Sequence, residues 1–316
     1  MKASRCYLAV DGGNTKTEYR LLDERGAVVA SYRGGGTNHE NLPGGFEDAA
    51  KLLCEGALVL LAERGCSLAC VADAVLGLAG ADYEPQVEAL SACLRAAGLK
   101  RFLVCNDGYL GVMAGSEDGV GVCLSAGTGV TCAGIAPDGR RVQIGGLGVL
   151  SGDIGGGYDI AAFVFRAIYR QLFLNKSPTS LRDAFFTLFD VHTREEFLAS
   201  AARLVDDEAA QKLIGLYFAA VETGDSIALC HAARCAGYAA DCIISAADAL
   251  SLPAPVRCSF SGTILAKVAP PSYRHMIEYE LRRRRGDAFR TQVNDRPPVD
   301  GAARWVRLRN NLPAGA

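Results

Sequence analysis

The dipeptide Gly-Lys occurs nowhere in the 316 residues, so a Walker-type phosphate loop is excluded. No Gly-x-Gly-x-x-Gly follows a strand-like segment either, which removes the dinucleotide fingerprint. No apolar run approaches the roughly 20 residues that a membrane-spanning helix needs. Charge of one sign is also lacking. The 33 basic and 35 acidic residues leave a net charge of −2, so no global field draws the chain onto nucleic acid or an anionic membrane. The one dense basic cluster, Arg282–Arg285, ends a helix-like stretch and reads as a solvated helix terminus. Twelve cysteines are present without a Cys-x-x-Cys pair, and the four histidines lie far apart. His231 adjoins Cys230, but no second close ligand pair completes a zinc pattern. Cys123, Cys132, Cys230, Cys235 and Cys242 sit in apolar stretches and read as reduced, buried small hydrophobes. Met1–Tyr7 has no signal-peptide layout, so a cytoplasmic protein is expected.

What is present is globular: half of the residues are apolar and 22% are charged. The length suits two domains. Cys6–Val10 reads as a strand, Asp11–Thr17 as a polar glycine turn and Glu18–Leu22 as a second strand. After Asp23–Gly26 comes a third strand over 27–32, which predicts an antiparallel meander. A helix over 46–62, a strand over 74–78, a helix over 85–97 and a strand over 102–105 follow. The opening pattern then returns. Val120–Leu124, the turn Ser125–Gly129, a strand from Val130, the turn Pro137–Arg140 and a further strand from Arg141 repeat it. That is a duplication of architecture. Helical periodicity dominates from about 158 to 250, before a buried strand at Val256–Phe260 and another at Phe289–Val293. The class is α/β. The expected division is an N-terminal lobe over 1–117 and a C-terminal lobe over 118–316.

Three glycine turns, Asp11–Thr17, Ser125–Thr131 and Ser261–Thr263, each follow an apolar strand. Glycine lets a ligand approach the backbone closely, and a run of amides forms an anion-binding concavity. An ordinary hairpin turn explains any one of them. It explains less well their recurrence at equivalent points of two halves. Asp107, in Cys105-Asn106-Asp107-Gly108, ends a strand where α/β clefts open. It reads equally as a helix N-cap or as a functional carboxylate.

The motifs together resemble a known family. Asp11-Gly12-Gly13-Asn14-Thr15-Lys16-Thr17 resembles the first phosphate motif of the actin-like ATPases, Ser125–Val130 the second, and Phe260–Thr263 the adenosine motif. Thr37-Asn38-His39, Gly145–Gly148 and Gly152–Ala161 narrow the resemblance to the BadF/BadG/BcrA/BcrD-type ATPases that include N-acetylglucosamine kinase. The resemblance implies a two-lobed actin-like (ribonuclease H-like) fold, a duplicated mixed sheet flanked by helices, with ATP in the cleft between the lobes. It implies Mg²⁺, an amino-sugar substrate, a homodimer, and no nucleic acid or membrane partner. In that scheme Asp107 is the general base and also touches the sugar, and Asp11 holds Mg²⁺. Gly13, Asn14, Thr15, Lys16, Thr17, Gly127, Thr128 and Gly129 meet phosphate, Gly262 meets adenine, and Asn38 and Asp153 meet sugar hydroxyls. Lys16 reads almost as well as an outward surface lysine, Asp11 as a turn residue, and Asp153 as a cap for the helix near Gly156. Two departures stand out: Ile154 replaces an expected glutamate, and Asp300 an expected apolar residue. The competing functions are an ATPase activator of a 2-hydroxyacyl-CoA dehydratase or benzoyl-CoA reductase, and a sugar-sensing regulator.

Overall fold

The computed structural model describes residues 5–201 and 207–313. β1 (Cys6–Gly12) is buried along almost its whole length, the pattern of a strand covered on both faces. β2 (Lys16–Leu22) and β3 (Val28–Gly35) continue it as an antiparallel meander, with Asp11 opposite Glu18 and Tyr19 opposite Tyr32. Next come α1 (Gly45–Ala62), β4 (Val71–Leu78), α2 (Glu84–Ala96), β5 (Phe102–Cys105) and α3 (Gly108–Gly115). β4 pairs parallel with β1 and β5 parallel with β4, which gives the order β3-β2-β1-β4-β5. In α1 the buried residues Ala49, Ala50, Leu53, Cys54, Ala57, Leu60 and Leu61 recur at three- and four-residue spacing, so one stripe faces the sheet.

The chain then repeats the plan with β6 (Gly121–Ala126), β7 (Val130–Ile135) and β8 (Arg141–Gly145). Among the described residues the helices that follow are α4 (Gly157–Leu174), α5 (Leu181–Phe189), α6 (Arg194–Ser200), α7 (Asp207–Glu222) and α8 (Ser226–Ala249). β9 (Val256–Ser261), α9 (Pro271–Arg285), β10 (Phe289–Val293) and α10 (Pro298–Asn310) complete it. The second sheet has the order β10-β9-β6-β7-β8. Counted from the first strand of each half, both sheets read third, second, first, fourth, fifth, so the duplication is one of topology.

Among the described residues, α8 alone has the length and composition to cross a membrane. Its Ala228, Ala232, Cys235, Ala239 and Ile243 stripe is buried, whereas Cys230, expected inside, lies off that stripe and is exposed. Asp225 caps its start by accepting from the Ile227 and Ala228 amides, so α8 behaves as a core helix. The basic cluster at the end of α9 is indeed solvated. Arg283 and Arg284 pair with Glu280, and Arg284 also meets Asp241.

The division into lobes differs from a single cut at residue 117. One compact unit takes the chain up to Cys123, Ala133–Gln143 and the stretch from Asn294; the other takes Leu124–Cys132 and Ile144–Val293. The reason lies in α10. Val299, Ala302, Ala303 and Val306 are buried, and the last three join Tyr7, Ala9, Leu22, Val75 and Leu110 in one cluster of the first unit. Asp300 does not disturb this helix, because it sits at its outer edge 3.6 Å from Arg20 Nε. The last turn is clamped by Asp73, which is fully buried in β4. Arg309 reaches both carboxylate oxygens at 2.9 and 3.0 Å, and Asn310 Nδ2 donates at 2.8 Å. Asp73→Ala leaves Arg309 without its partner and is expected to cost about 3 kcal/mol in urea unfolding. It should also speed proteolysis within α10; an unchanged midpoint and cleavage pattern would refute the clamp.

Candidate active site

In the first unit the parallel strands β1, β4 and β5 end in register, with Gly12 opposite Leu78 and Gly77 opposite Cys105. Side chains just past these ends therefore gather along one edge of the sheet. Asp11 and the turn to Lys16 come from β1, Asp82 from the loop after β4, and Asn106 and Asp107 from the end of β5. Gly13 N–H donates to Lys16 O at 2.9 Å, closing a tight hairpin, and Thr37 N–H donates to Gly13 O at 3.0 Å. The chain passes so close here that a Cβ on Gly36 would lie 2.0 Å from Asn14 O, which explains glycine at that position. Asn14, Thr15 and Lys16 are exposed at the turn's tip, and Gly13 is partly so. Thr17 is different: it is fully buried, with its hydroxyl 2.9 Å from that of Thr37, and braces the turn from below. Lys16 pairs with Glu18 at 3.0 Å.

Asp107 does not serve as the side-chain cap of α3. Its carboxylate makes no capping bond, and Asn106 Oδ1 takes the Gly108 N–H instead, at 2.8 Å. Burial, and then the Asp82 carboxylate, push the Asp107 carboxyl up to about 6. Burial, and then Asp107 and Glu18, push Asp11 up to about 7, against the opposing pull of Lys16. A half-buried site with an excess of carboxylate oxygens and too little positive charge suits a hard divalent cation, and Mg²⁺ coordinated through one carboxylate and water fits Asp11.

Asn38 and Asp82 organise the neighbouring wall. Asn38 Nδ2 donates to Asn14 Oδ1 at 2.7 Å and Asn38 Oδ1 accepts from the Glu40 amide at 3.0 Å, which ties the first glycine turn to the Thr37-Asn38-His39 segment. Asp82 Oδ1 accepts from Asn106 Nδ2 at 2.7 Å and Gln143 Nε2 at 3.1 Å. His39 stacks on Phe46 at 4.1 Å, and its buried Nδ1 has no hydrogen-bond partner.

In the second unit the turn after β6 is held from behind by the start of α4. Gly157 N–H donates to Gly127 O at 2.8 Å and Tyr158 N–H to Thr128 O at 3.1 Å. A Cβ on Gly156 would fall 2.8 Å from Gly129 Cα, so only glycine allows the helix start this close. Thr128 and Gly129 remain exposed, and the sides of Gly127 and Gly129 where a Cβ would stand are open. Gly262, at φ +81°, backs onto Ala126 at the end of β6. Asp153 does not cap α4. Its Oδ2 accepts from the Gly146 and Gly148 amides at 2.8 Å, and its Oδ1 from Ser151 Oγ at 2.8 Å and from the Tyr238 hydroxyl, so it closes its own loop.

The profile of the BadF/BadG/BcrA/BcrD ATPase family matches residues 8–172, just over half of the chain. The chain belongs to this family. The BadF-type chain is 26% identical over 194 residues to the N-acetylmuramic acid/N-acetylglucosamine kinase of Clostridium acetobutylicum, over 60% of its own length and 62% of that protein's. It thus spans about three-fifths of that relative. It is 25% identical over 233 residues to the N-acetyl-D-glucosamine kinase of Dictyostelium discoideum, over 70% and 72% of the two lengths. A candidate N-acetylglucosamine kinase from Chromobacterium violaceum shares the fold, with a TM-score of 0.68 at 20% identity over 95% of this chain and 98% of that one.

The BadF-type motifs lie where the sequence places them along the chain, but Asp82, Asn106, Gln143 and Glu40 were not legible as site residues. One signal was available: Ala79-Gly80-Ala81-Asp82 follows a strand just as Asn106-Asp107 does. Because the folded Asp107 holds its proton more tightly than an unfolded aspartate near 4, its contribution to stability is neutral below about 4 and unfavourable above about 6. Asp107→Asn is therefore expected to raise the unfolding free energy at pH 8 by up to about 3 kcal/mol, and the melting temperature with it, the gain vanishing near pH 4. A pH-independent difference in calorimetry would sink this account of the carboxyl.

Proposed function

We propose that the protein is an ATP-dependent sugar kinase that phosphorylates an amino sugar, N-acetylglucosamine before glucosamine or N-acetylmuramic acid. The observation that carries this reading is Asp107: a carboxyl beside the first glycine turn, tied up by no cap, with its proton affinity raised toward neutrality. A general base works best when its pKa lies near the working pH. The names of the matched relatives support the same chemistry and the same substrate class.

In this reading the carboxylate of Asp107 takes the proton of the attacking sugar hydroxyl as its oxygen bonds to the γ-phosphorus and the bond to ADP breaks. Phosphoryl transfer asks the protein chiefly for positioning and charge neutralisation. The exposed Asn14 and Thr15, with the Thr15 hydroxyl, suit phosphate oxygens, as do the exposed Thr128 and Gly129; Gly13 and Gly127, whose own amides close their turns, leave room for the phosphate to approach, and Gly262 presents bare backbone to the adenosine. Mg²⁺ at Asp11 would neutralise the phosphate charge. Asn38, positioned by Asn14 and Glu40, and the unpartnered His39 Nδ1 suit sugar hydroxyls, and Asp153 shapes the Gly146–Gly152 loop. An ATP-consuming reaction of this kind belongs in the cytoplasm.

An ADP-release assay over a sugar panel tests the reading, with N-acetylglucosamine expected to give the highest kcat/KM. Asp107→Asn should lower kcat by about 10²-fold or more while nucleotide affinity stays within a few-fold. In the unsubstituted protein kcat should fall about tenfold per pH unit below about 6, as Asp107 takes up its proton. No turnover of any sugar, together with brown iron–sulfur absorbance after anaerobic purification, would favour the dehydratase or reductase activator instead.

A further inference from the structure

A chemistry-bearing cavity of about 440 Å³ lies within the second unit, lined by residues of α4 and α8. Arg166, Arg170, Lys176 and Arg234 line it against one carboxylate, that of Asp159. Asp159 is already engaged: Gly155 N–H donates to it at 2.9 Å, Arg166 reaches it at 3.2 Å and His231 Nε2 stands 3.3 Å away. Arg170, Lys176 and Arg234 make no ion pair among the described residues. Aromatic rings stand at its base. Phe163 stacks on His231 with ring centroids 3.8 Å apart, and Tyr217 hydroxyl holds His231 Nδ1 at 3.0 Å.

Two ligands compete for such a place. The ligating atoms of Asp159, His231 and Cys235 lie within 4.8 Å of one another, a spacing open to a metal ion. Four cations surround that trio, however, and a dication entering it would meet their repulsion as well as an Asp159 already neutralised by Arg166. Excess positive charge above an aromatic floor instead favours an anion attached to a carbon skeleton. Guanidinium forks match phosphate oxygens in pairs, and the rings cover the apolar part.

We propose that this cavity binds a small molecule bearing a phosphate group, separate from the glycine turns and independent of the kinase reading. Radiolabelled inorganic phosphate and glucose 6-phosphate are to be used in equilibrium dialysis with the whole protein, without ATP or sugar, at a fixed ionic strength of about 0.15 M. Arg170→Glu/Arg234→Glu should weaken binding at least about tenfold, corresponding to two lost phosphate contacts. Lys51→Glu/Lys100→Glu, which makes the same charge change in the first unit, should leave it intact. Phosphate held at the glycine turns survives in both variants, so only the difference between them counts. If the first variant loses cooperative unfolding, Arg170→Gln/Arg234→Gln replaces it and should weaken binding in the same direction. Tighter binding of the sugar phosphate assigns the site to a phosphorylated metabolite, and equal binding to free phosphate. Equal loss in the two charge-reversal variants, or no binding to the unsubstituted protein at millimolar ligand, would overturn the proposal.

Discussion

Like charges crowded at the end of a parallel sheet are the constraint around which the first unit is arranged. Asp11, Asp82 and Asp107 arrive from three strands whose ends are in register, and the charge is felt along the row: Asp82 acts on Asp107, and Asp107 on Asp11. A fold selected for stability alone would separate them. Here the neighbouring hydrogen bonds hold them in place, with Asn106 and Gln143 fixed on Asp82 and Asn14 fixed on Asn38. Unfavourable electrostatics concentrated in this way are the mark of a functional edge, and it is on them that the proposed roles of Asp11 and Asp107 rest.

Much of this could be read in the amino-acid sequence, because it depends on local chemistry. Glycine turns after apolar strands, the second occurrence of the pattern and the position of Asp107 are all properties of short segments. What escaped the reading depends on register and on distant returns of the chain. Asp82 lies 25 residues before Asp107 and meets it only because β4 and β5 end level. Gln143, on β8, reaches Asp82 across 61 positions. Thr17 reads as one more hydroxyl of the turn, yet alternation along β2 turns it inward to Thr37. Asp300 looks like a disruption until α10 is seen lying with that residue beside Arg20.

The second unit solves a related problem differently. Its turn contains no acidic residue and is stiffened from behind by the glycine-rich start of α4. The same short segment supplies Asp153 to one loop and Ile154 and Asp159 to the cationic cavity. Residues 153–159 thus connect the loop, the turn and the cavity through backbone contacts only a few residues long. Such a stretch has little freedom to move at one end without the other.

The placement of α10 carries an implication for synthesis. The face formed by Tyr7, Ala9, Leu22 and Val75 is made early, and beside Leu110 its cover comes from Ala302, Ala303 and Val306 of α10. On the ribosome that apolar face must wait, bare, while nearly the whole of the other unit is translated. The nascent chain therefore passes through a long interval in which its oldest part is its stickiest. Chaperone demand during translation should track that interval rather than the stability of the finished protein.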